Sequence, residues 1–235
     1  MKLLDILAFN PSRHNLMLFL QEAAQNIRPG ERVLDAGAGD VRHKSLFAHS
    51  IYDATDRGLA YESGGLDYLC DLTALPVRPA TYDHIICTQV MEHIAEPGLM
   101  LQEFYRLLKP GGTLWLSAPL SYPEHQTPHD YYRYTQYGLR YLHESAGFVI
   151  ERIEPLEGLL GTLAYQCQKG AQWLPLQPAA YRRGVQHYLL LPIIVGAKAG
   201  FALISVLFAH LDRQFRIDRA GYCKNYVVVA TKPMA

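Results

Sequence analysis

The run Val33-Leu34-Asp35-Ala36-Gly37-Ala38-Gly39-Asp40 decides how the rest of the chain is read. An apolar segment ends in a carboxylate and then turns on Gly-x-Gly. Glycines there allow a tight turn and let the backbone approach a ligand that a Cβ would block. Outward from that run, short β-rich apolar segments recur at Arg32–Ala36, Ile51–Thr55, Leu66–Cys70, Tyr82–Thr88, Thr113–Ala118, Phe148–Glu154 and Asn225–Thr231. Helical spacing separates some of them, as in Leu99–Leu108, stopped by Pro110-Gly111-Gly112, and Tyr137–Ala146, stopped by Gly147. Strands that read as continuous apolar runs, alternating with helices, predict a mostly parallel α/β sheet covered on both faces.

Composition narrows the function classes. Of 235 residues 49% are hydrophobic and 19% charged, which excludes a disordered, collagen-like or simple coiled-coil chain. Twenty-two basic residues balance twenty-two acidic ones. A nucleic-acid partner is therefore not expected, since phosphate contacts call for a basic excess. Cys70, Cys87, Cys167 and Cys223 form no CxxC pair, so neither a disulfide framework nor a zinc knuckle is read, and a reducing, cytoplasmic setting fits. The opening MKLLDILAFNPSRHNLMLFL is interrupted by Asp5, Asn10, Pro11, Arg13 and His14, unlike a signal peptide, and reads as a lead-in helix capped by Ser12.

One domain over 1–235 is expected: a lead-in at 1–29, a cofactor-binding core at 30–155, a helical apolar insert at 156–224 and a closing strand at 225–235. Within the insert, Tyr188–Leu211 is strongly apolar but for Pro192 and Lys198. Its length suits a membrane of about 30 Å. A single crossing is ruled out if Asn225–Thr231 returns to the sheet that Phe148–Glu154 leaves, and Gln166, Gln168, Lys169 and Gln172 are too polar for a second crossing. Three uses stay open for 188–211: packing over the domain, a homodimer contact, or a dip into one leaflet as a peripheral protein at the inner face of the membrane.

The dinucleotide fingerprint asks for a third glycine where this chain has Arg42, so the turn is unsuited to NAD. Asp56, 21 residues after Asp35 at the end of the next strand, can accept from both hydroxyls of a ribose, or can simply begin the turn before Arg57-Gly58. Asp71 ends the third strand in Cys70-Asp71-Leu72-Thr73-Ala74-Leu75-Pro76; Gln89-Val90-Met91-Glu92-His93 follows the fourth; Leu108-Lys109-Pro110-Gly111-Gly112 precedes the fifth. This ordered set resembles the class I S-adenosylmethionine-dependent methyltransferases, the broad family typified by small-molecule and quinone methyltransferases. The likeness covers about residues 30–155 with 225–233 as the closing strand. It implies a Rossmann-like three-layer sandwich whose seven-stranded sheet is mostly parallel with an antiparallel last strand. Carried over position by position, it puts Asp35, Gly37 and Gly39 around the methionine part of S-adenosylmethionine, and Asp56 on the ribose. It puts Arg57 beside the adenine, Asp71 and the Leu72 backbone on the adenine edge, and Gln89 beside the methionine moiety.

Methyl transfer needs donor and nucleophile aligned and water excluded, and an oxygen nucleophile often needs a proton removed. The loops after strands four and five should form the acceptor's wall. Glu124-His125-Gln126-Thr127-Pro128-His129-Asp130-Tyr131-Tyr132-Arg133-Tyr134-Thr135 looks like a segment of bacterial methyltransferases associated with surface-polysaccharide biosynthesis. His129 and His125 are the general-base candidates. His93, Tyr131, Tyr132 and Arg133 are the acceptor-binding candidates, the arginine suiting an anion and the tyrosines a sugar or aromatic ring. The competing reading pairs Asp130 with Arg133 to fix the loop and puts Tyr131 and Tyr134 in the core. Quinone-methylating relatives that bind a divalent cation carry a glutamate where this chain has Gln89, so no required metal is expected and Glu92 should support the following helix. The expected function is methyl transfer to a small or lipid-linked acceptor, such as a sugar intermediate of the envelope. The alternatives are a silent cofactor-binding scaffold and a membrane-surface adaptor.

Overall fold

The computed structural model describes residues 9–58, 65–177, 186–219 and 221–234. The first eight residues of the expected lead-in, and 178–185 and 220 of the insert, lie outside the described residues. The chain divides into two compact units, one formed by residues 16–156 with 224–234, the other by 9–15 with 157–223.

The larger unit is built on seven strands: β1 Arg32–Ala36, β2 Ile51–Asp56, β3 Tyr68–Leu69, β4 Tyr82–Thr88, β5 Leu108–Pro119, β6 Val149–Pro155 and β7 Asn225–Thr231. Their order is β3-β2-β1-β4-β5-β7-β6. The first five run parallel, and β7 lies antiparallel between β5 and β6, with Trp115 opposite Val229 and Ile153 opposite Val228. This is the Rossmann-like three-layer arrangement with an antiparallel last strand. Helix α1, Pro11–Asn26, turns Phe19, Leu20 and Ala23 inward at helical spacing, and Ile27 follows; they bury against Val33, Phe47, Ile86, Trp115, Val227 and Val229. The strand residues of opposite parity, Leu34, Ile85, Leu114, Leu116 and Val228, are fully buried too, so both faces of the sheet are covered. Helix α2, Pro97–Leu107, adds Met100, Leu101, Phe104 and Leu107 to the core, and α3, Gln136–Ser145, adds Leu139.

Three local readings change. Asn10, not Ser12, caps α1: its Oδ1 accepts from the Arg13 N–H at 3.0 Å, and Pro11 takes the first helical position, where a missing N–H costs nothing. Helix α2 stops at Leu107 rather than at the Pro-Gly-Gly. That triplet lies inside β5 as an irregularity, with Leu108 opposite Tyr82 but Thr113 opposite His84. The third strand shrinks to two residues because the Asp67 carboxylate, rather than a backbone carbonyl, takes the Ala54 N–H at 2.8 Å. Between β1 and β2 the described chain makes only a short 3-10 turn, Lys44–Phe47, and no α-helix.

The smaller unit holds α4, Leu159–Trp173, and α5, Gln186–Gln214.

Candidate active site

From β1 the chain winds outward to β2 and β3, then returns to β4 on the other side of β1. The winding reverses between β1 and β4, and the carboxyl ends there are where open α/β sheets hold ligands in a crevice. The turn after β1 is pinned by the Gly37 and Ala38 N–H groups, both donating to the Thr55 carbonyl of β2 at 2.8 and 2.9 Å. Gly37 has φ +80, and a Cβ there would stand 2.3 Å from Cγ2 of Val90 in the loop after β4. The two loops thus meet with room only for glycine. Among the described residues, non-glycine left-handed backbone occurs at Val41, Gln89 and Gln126, one in each loop leaving β1, β4 and β5, and also at Ala80. Such conformations cost energy and collect where the fold holds a ligand.

Carboxylates line this end. Asp35 on β1 is 6% exposed and accepts from the Tyr52 hydroxyl on β2. Burial pushes its carboxyl up to about 6, the Tyr52 hydrogen bond opposes that, and the nearby Asp56 charge adds to it. Asp56, the last residue of β2, takes the Gly39 N–H at 3.0 Å and the Gly58 N–H at 2.8 Å, one on each oxygen. A carboxylate has about four lone-pair directions, so two remain for a diol. Asp71 lies farther out, its Oδ2 3.5 Å from Arg57 Nε and its Oδ1 accepting from Thr73. The neighbouring Leu72 is buried. Gln89 follows β4 with its N–H on the Ser117 carbonyl at 3.0 Å and its Nε2 on the Ser117 hydroxyl at 3.2 Å.

The loop after β5 is stitched to the loop after β4. Tyr131 N–H donates to the Glu92 carbonyl at 2.8 Å, the Tyr134 hydroxyl to the Met91 carbonyl at 3.0 Å, and the Tyr132 hydroxyl to the Ala95 carbonyl at 2.9 Å. Inside this seam His93 Nδ1 lies 2.6 Å from the His129 carbonyl, and His93 Nε2 lies 3.1 Å from His125 Nε2. His125 Nδ1 faces the Pro123 carbonyl at 3.2 Å and Asp130 Oδ2 at 3.4 Å. Each Nδ1 faces only acceptors and so carries a hydrogen, which leaves the place of one proton between the two Nε2 atoms. Burial holds the His93 pKa below its ordinary value. Glu92 is fully buried with no hydrogen-bond partner on either oxygen, 3.9 Å from His93 Nε2, and burial pushes its carboxyl up to about 8. It does not cap α2, whose N-cap is Glu96 without a side-chain hydrogen bond. Glu92, His93 and His125 offer ligand atoms within 4.8 Å of one another and could together hold a divalent cation.

Arg133 gives all five N–H groups to acceptors of its own loop: the Tyr122, Pro123 and Tyr132 carbonyls and both oxygens of Asp130, the closest at 2.6 Å. That pairing holds the Asp130 carboxyl well below the usual range. The Asp130–Arg133 pair is therefore the loop's frame. Tyr134 is buried with it, whereas Tyr131 and Tyr132 are exposed, which takes Tyr131 out of the core. Among the described residues the His129 ring hydrogen-bonds the Tyr131 hydroxyl, at 3.1 Å; its carbonyl, not its ring, joins the histidine pair. The structure thus gathers Asp35, Gly37, Gly39, Asp56 and Gln89 at one end of the sheet, and His93 with His125 in the seam beside it. Sequence reasoning missed Tyr52 and gave Glu92 a different role. Tyr52 has no signal beyond its place on β2, and the buried role of Glu92 is hinted at only by its adjacency to His93.

Residues 34–116 match a family model described as a methyltransferase domain. The ubiquinone biosynthesis O-methyltransferase of Xanthomonas campestris is 32% identical over 127 residues, 47% of this chain and 50% of that protein. The chain thus spans about half the length of the curated relatives it matches. Among solved structures, the [4+2]-cyclase SpnF has a TM-score of 0.55 at 21% identity, covering 94% of this chain and 82% of that one. Phosphoethanolamine N-methyltransferase 2 of Haemonchus contortus, in complex with S-adenosyl-L-methionine, has a TM-score of 0.55 at 17% identity, covering 94% and 53%. These structural likenesses concern the fold.

Proposed function

We propose that this chain, which carries a class I S-adenosylmethionine-dependent methyltransferase domain, transfers the cofactor's methyl group to an oxygen of a small-molecule acceptor. The observation that carries the reading is the turn at Gly37, a cradle that a Cβ would fill, set among the buried Asp35 and the strand-end Asp56. S-adenosylmethionine, when bound, supplies an electrophilic methyl on a cationic sulfur. Asp35 and Asp56 bring negative charge to a cationic ligand, and the free lone pairs of Asp56 suit the ribose hydroxyls. Gly37 and Gly39 let the backbone come close to the methionine part, Gln89 borders it, and Arg57, Asp71 and the Leu72 backbone suit the adenine.

The acceptor side is the seam of the β4 and β5 loops. A hydroxyl that loses its proton as it is methylated needs a nearby base of near-neutral pKa. The vacant place between His93 Nε2 and His125 Nε2 can take that proton, with the His129 and Pro123 carbonyls holding both rings in the receiving orientation. In this reading His129 acts through its carbonyl, and Arg133 positions the loop rather than binding the acceptor. Tyr131 and Tyr132 present exposed faces suited to a sugar or an aromatic ring. The finer reading is a lipid-linked hydroxyl compound, such as a sugar intermediate of the envelope. A quinone precursor, the acceptor class that the Xanthomonas relative's name suggests, is its rival.

Calorimetric titration with S-adenosylmethionine and S-adenosylhomocysteine tests the cofactor. Micromolar binding is expected, weakened about tenfold or more in Asp56→Asn, since a hydrogen bond to a charged group contributes roughly 1.5–3 kcal/mol. A folded wild type that evolves no heat with either ligand overturns the reading.

A further inference from the structure

The hairpin of α4 and α5 has a face that methyl transfer does not use. Asp212 near the end of α5 accepts from the Gly158 N–H at 3.1 Å, at the start of α4. The Ser205 hydroxyl donates to the Ala164 carbonyl at 2.8 Å. The Lys198 ammonium donates to the Ala171 and Leu174 carbonyls, the latter at 2.6 Å, at the end of α4. Partner numbers on α4 fall as those on α5 rise, so the helices are antiparallel. One anion and one cation of α5 thus meet the positive and negative ends of the α4 dipole.

This arrangement strips charge from the other side of α5. Every exposed residue from Leu190 to Leu211 is apolar: Leu190, Pro192, Ile193, Val195, Gly196, Ala199, Phe201, Ala202, Leu203, Ile204 and Leu207. Leu203 is 72% exposed and Ile193 66%. An 18-residue window within Leu190–Gln214 has a mean hydropathy of 2.1, and the segment is long and apolar enough to cross a membrane. A single crossing by α5 is excluded by the sheet. The Leu156 N–H donates to the Asn225 carbonyl at 2.9 Å and Pro155 pairs with Tyr226, so the insert leaves and returns at neighbouring positions.

We propose that α5 lies in one leaflet of an anionic bilayer, its outer face among the acyl chains, making the hairpin a monotopic membrane anchor. Two features favour lipid over a protein partner. A protein interface carries about one hydrogen bond per 100–200 Å², and this face offers no exposed polar side chain over some six turns. Among the described residues its end exposes Arg213, Arg216 and Arg219 beside the exposed Asp218, an excess of positive charge that suits anionic headgroups. The inference stands independently of the methyl-transfer reading.

The test is flotation of the full chain with phosphatidylcholine vesicles and with phosphatidylcholine–phosphatidylglycerol vesicles, alongside gel filtration with light scattering. The wild type should float with the anionic vesicles and less so in high salt. The Leu203→Glu/Leu207→Glu variant, altered only at exposed positions, should bind about a hundredfold more weakly, roughly a decade per side chain. Tyr137→Glu, an equally exposed site on α3, should float like the wild type. Of the two tryptophans Trp115 is buried and Trp173 is 63% exposed, so a blue shift of emission on adding vesicles reports Trp173 entering the interface. A wild type that floats with neither vesicle overturns the proposal. So does a wild-type dimer that the double substitution splits while flotation is unchanged, which assigns the face to a second copy.

Discussion

Glu92→Gln should make the protein more stable, and by an amount that depends on pH. Among the described residues Glu92 is fully buried without a hydrogen-bond partner for its carboxyl, which burial pushes from the ordinary 4.5 up to about 8. The native state therefore keeps this proton at neutral pH while the unfolded state has lost it. For an acid whose folded pKa is raised, the stability present below the unfolded value is lost as pH rises towards the folded one. The window is pH 4.5 to 8. Inside it the slope approaches one proton, about 1.4 kcal/mol per pH unit, which sums to about 3 kcal/mol between pH 5 and pH 8. Glutamine keeps the shape of the protonated acid and has no such slope. Urea melts of both proteins, run in excess chelator from pH 5 to pH 8, should show the variant's advantage growing by about 3 kcal/mol across that range. Parallel stability curves would refute the reasoning, for they would mean that Glu92 is ionised in the native protein and compensated by a partner.

Two further outcomes follow from the crevice. Cofactor affinity should rise about tenfold between pH 5 and pH 7 as Asp35 ionises around 6, and Tyr52→Phe, which removes the donor that favours its charged form, should move that inflection upward; a pH-independent Kd in both proteins contradicts this. Gly37→Ala should cost more than about 2 kcal/mol in thermal melts, because a left-handed backbone and a 2.3 Å contact with Val90 combine, whereas Gly98→Ala at the start of α2, with nothing within 4 Å, should gain roughly 0.5 kcal/mol.

The strands read most directly from sequence are those whose burial is two-sided. Arg32–Ala36, Tyr82–Thr88 and Asn225–Thr231 occupy the spans that their apolar runs suggest, because a buried central strand leaves its whole length in the composition. The edge strand β3 does not, since a single carboxylate, Asp67, can displace a ladder hydrogen bond without changing the hydrophobic pattern. The same contrast holds in the crevice. Asp35 and Asp56 come together because parallel neighbouring strands bring their carboxyl ends together, which a strand assignment already implies. The His93–His125 contact spans 32 residues and two loops, and depends on how Arg133 and Asp130 fold the second loop. No periodicity encodes that. The antiparallel fit of α5 to α4 is similarly hidden: Lys198 reads as a costly charge in an apolar run until the carbonyls of Ala171 and Leu174 are seen to receive it.

The two perturbed carboxyl groups of this end also divide the work of charge. At neutral pH Asp35, with its value of about 6, is ionised, while Glu92, at about 8, is neutral. Buried Cys87, at the carboxyl end of β4, feels both: burial pushes its thiol up, and the charges of Glu92 and Asp35 add to that. Were both acids ionised, two negative charges would stand beside one buried strand. In the proposed function, a protonated Glu92 would leave Asp35 as the buried partner for a sulfonium and the proton place between His93 and His125 free of a competing carboxylate. Environments that push neighbouring acids to opposite sides of neutrality are how a site separates binding from proton transfer. Burial raises both acids, and the Tyr52 hydrogen bond that opposes it exists for Asp35 alone of the two, so a neutral amide at position 92 tests the separation.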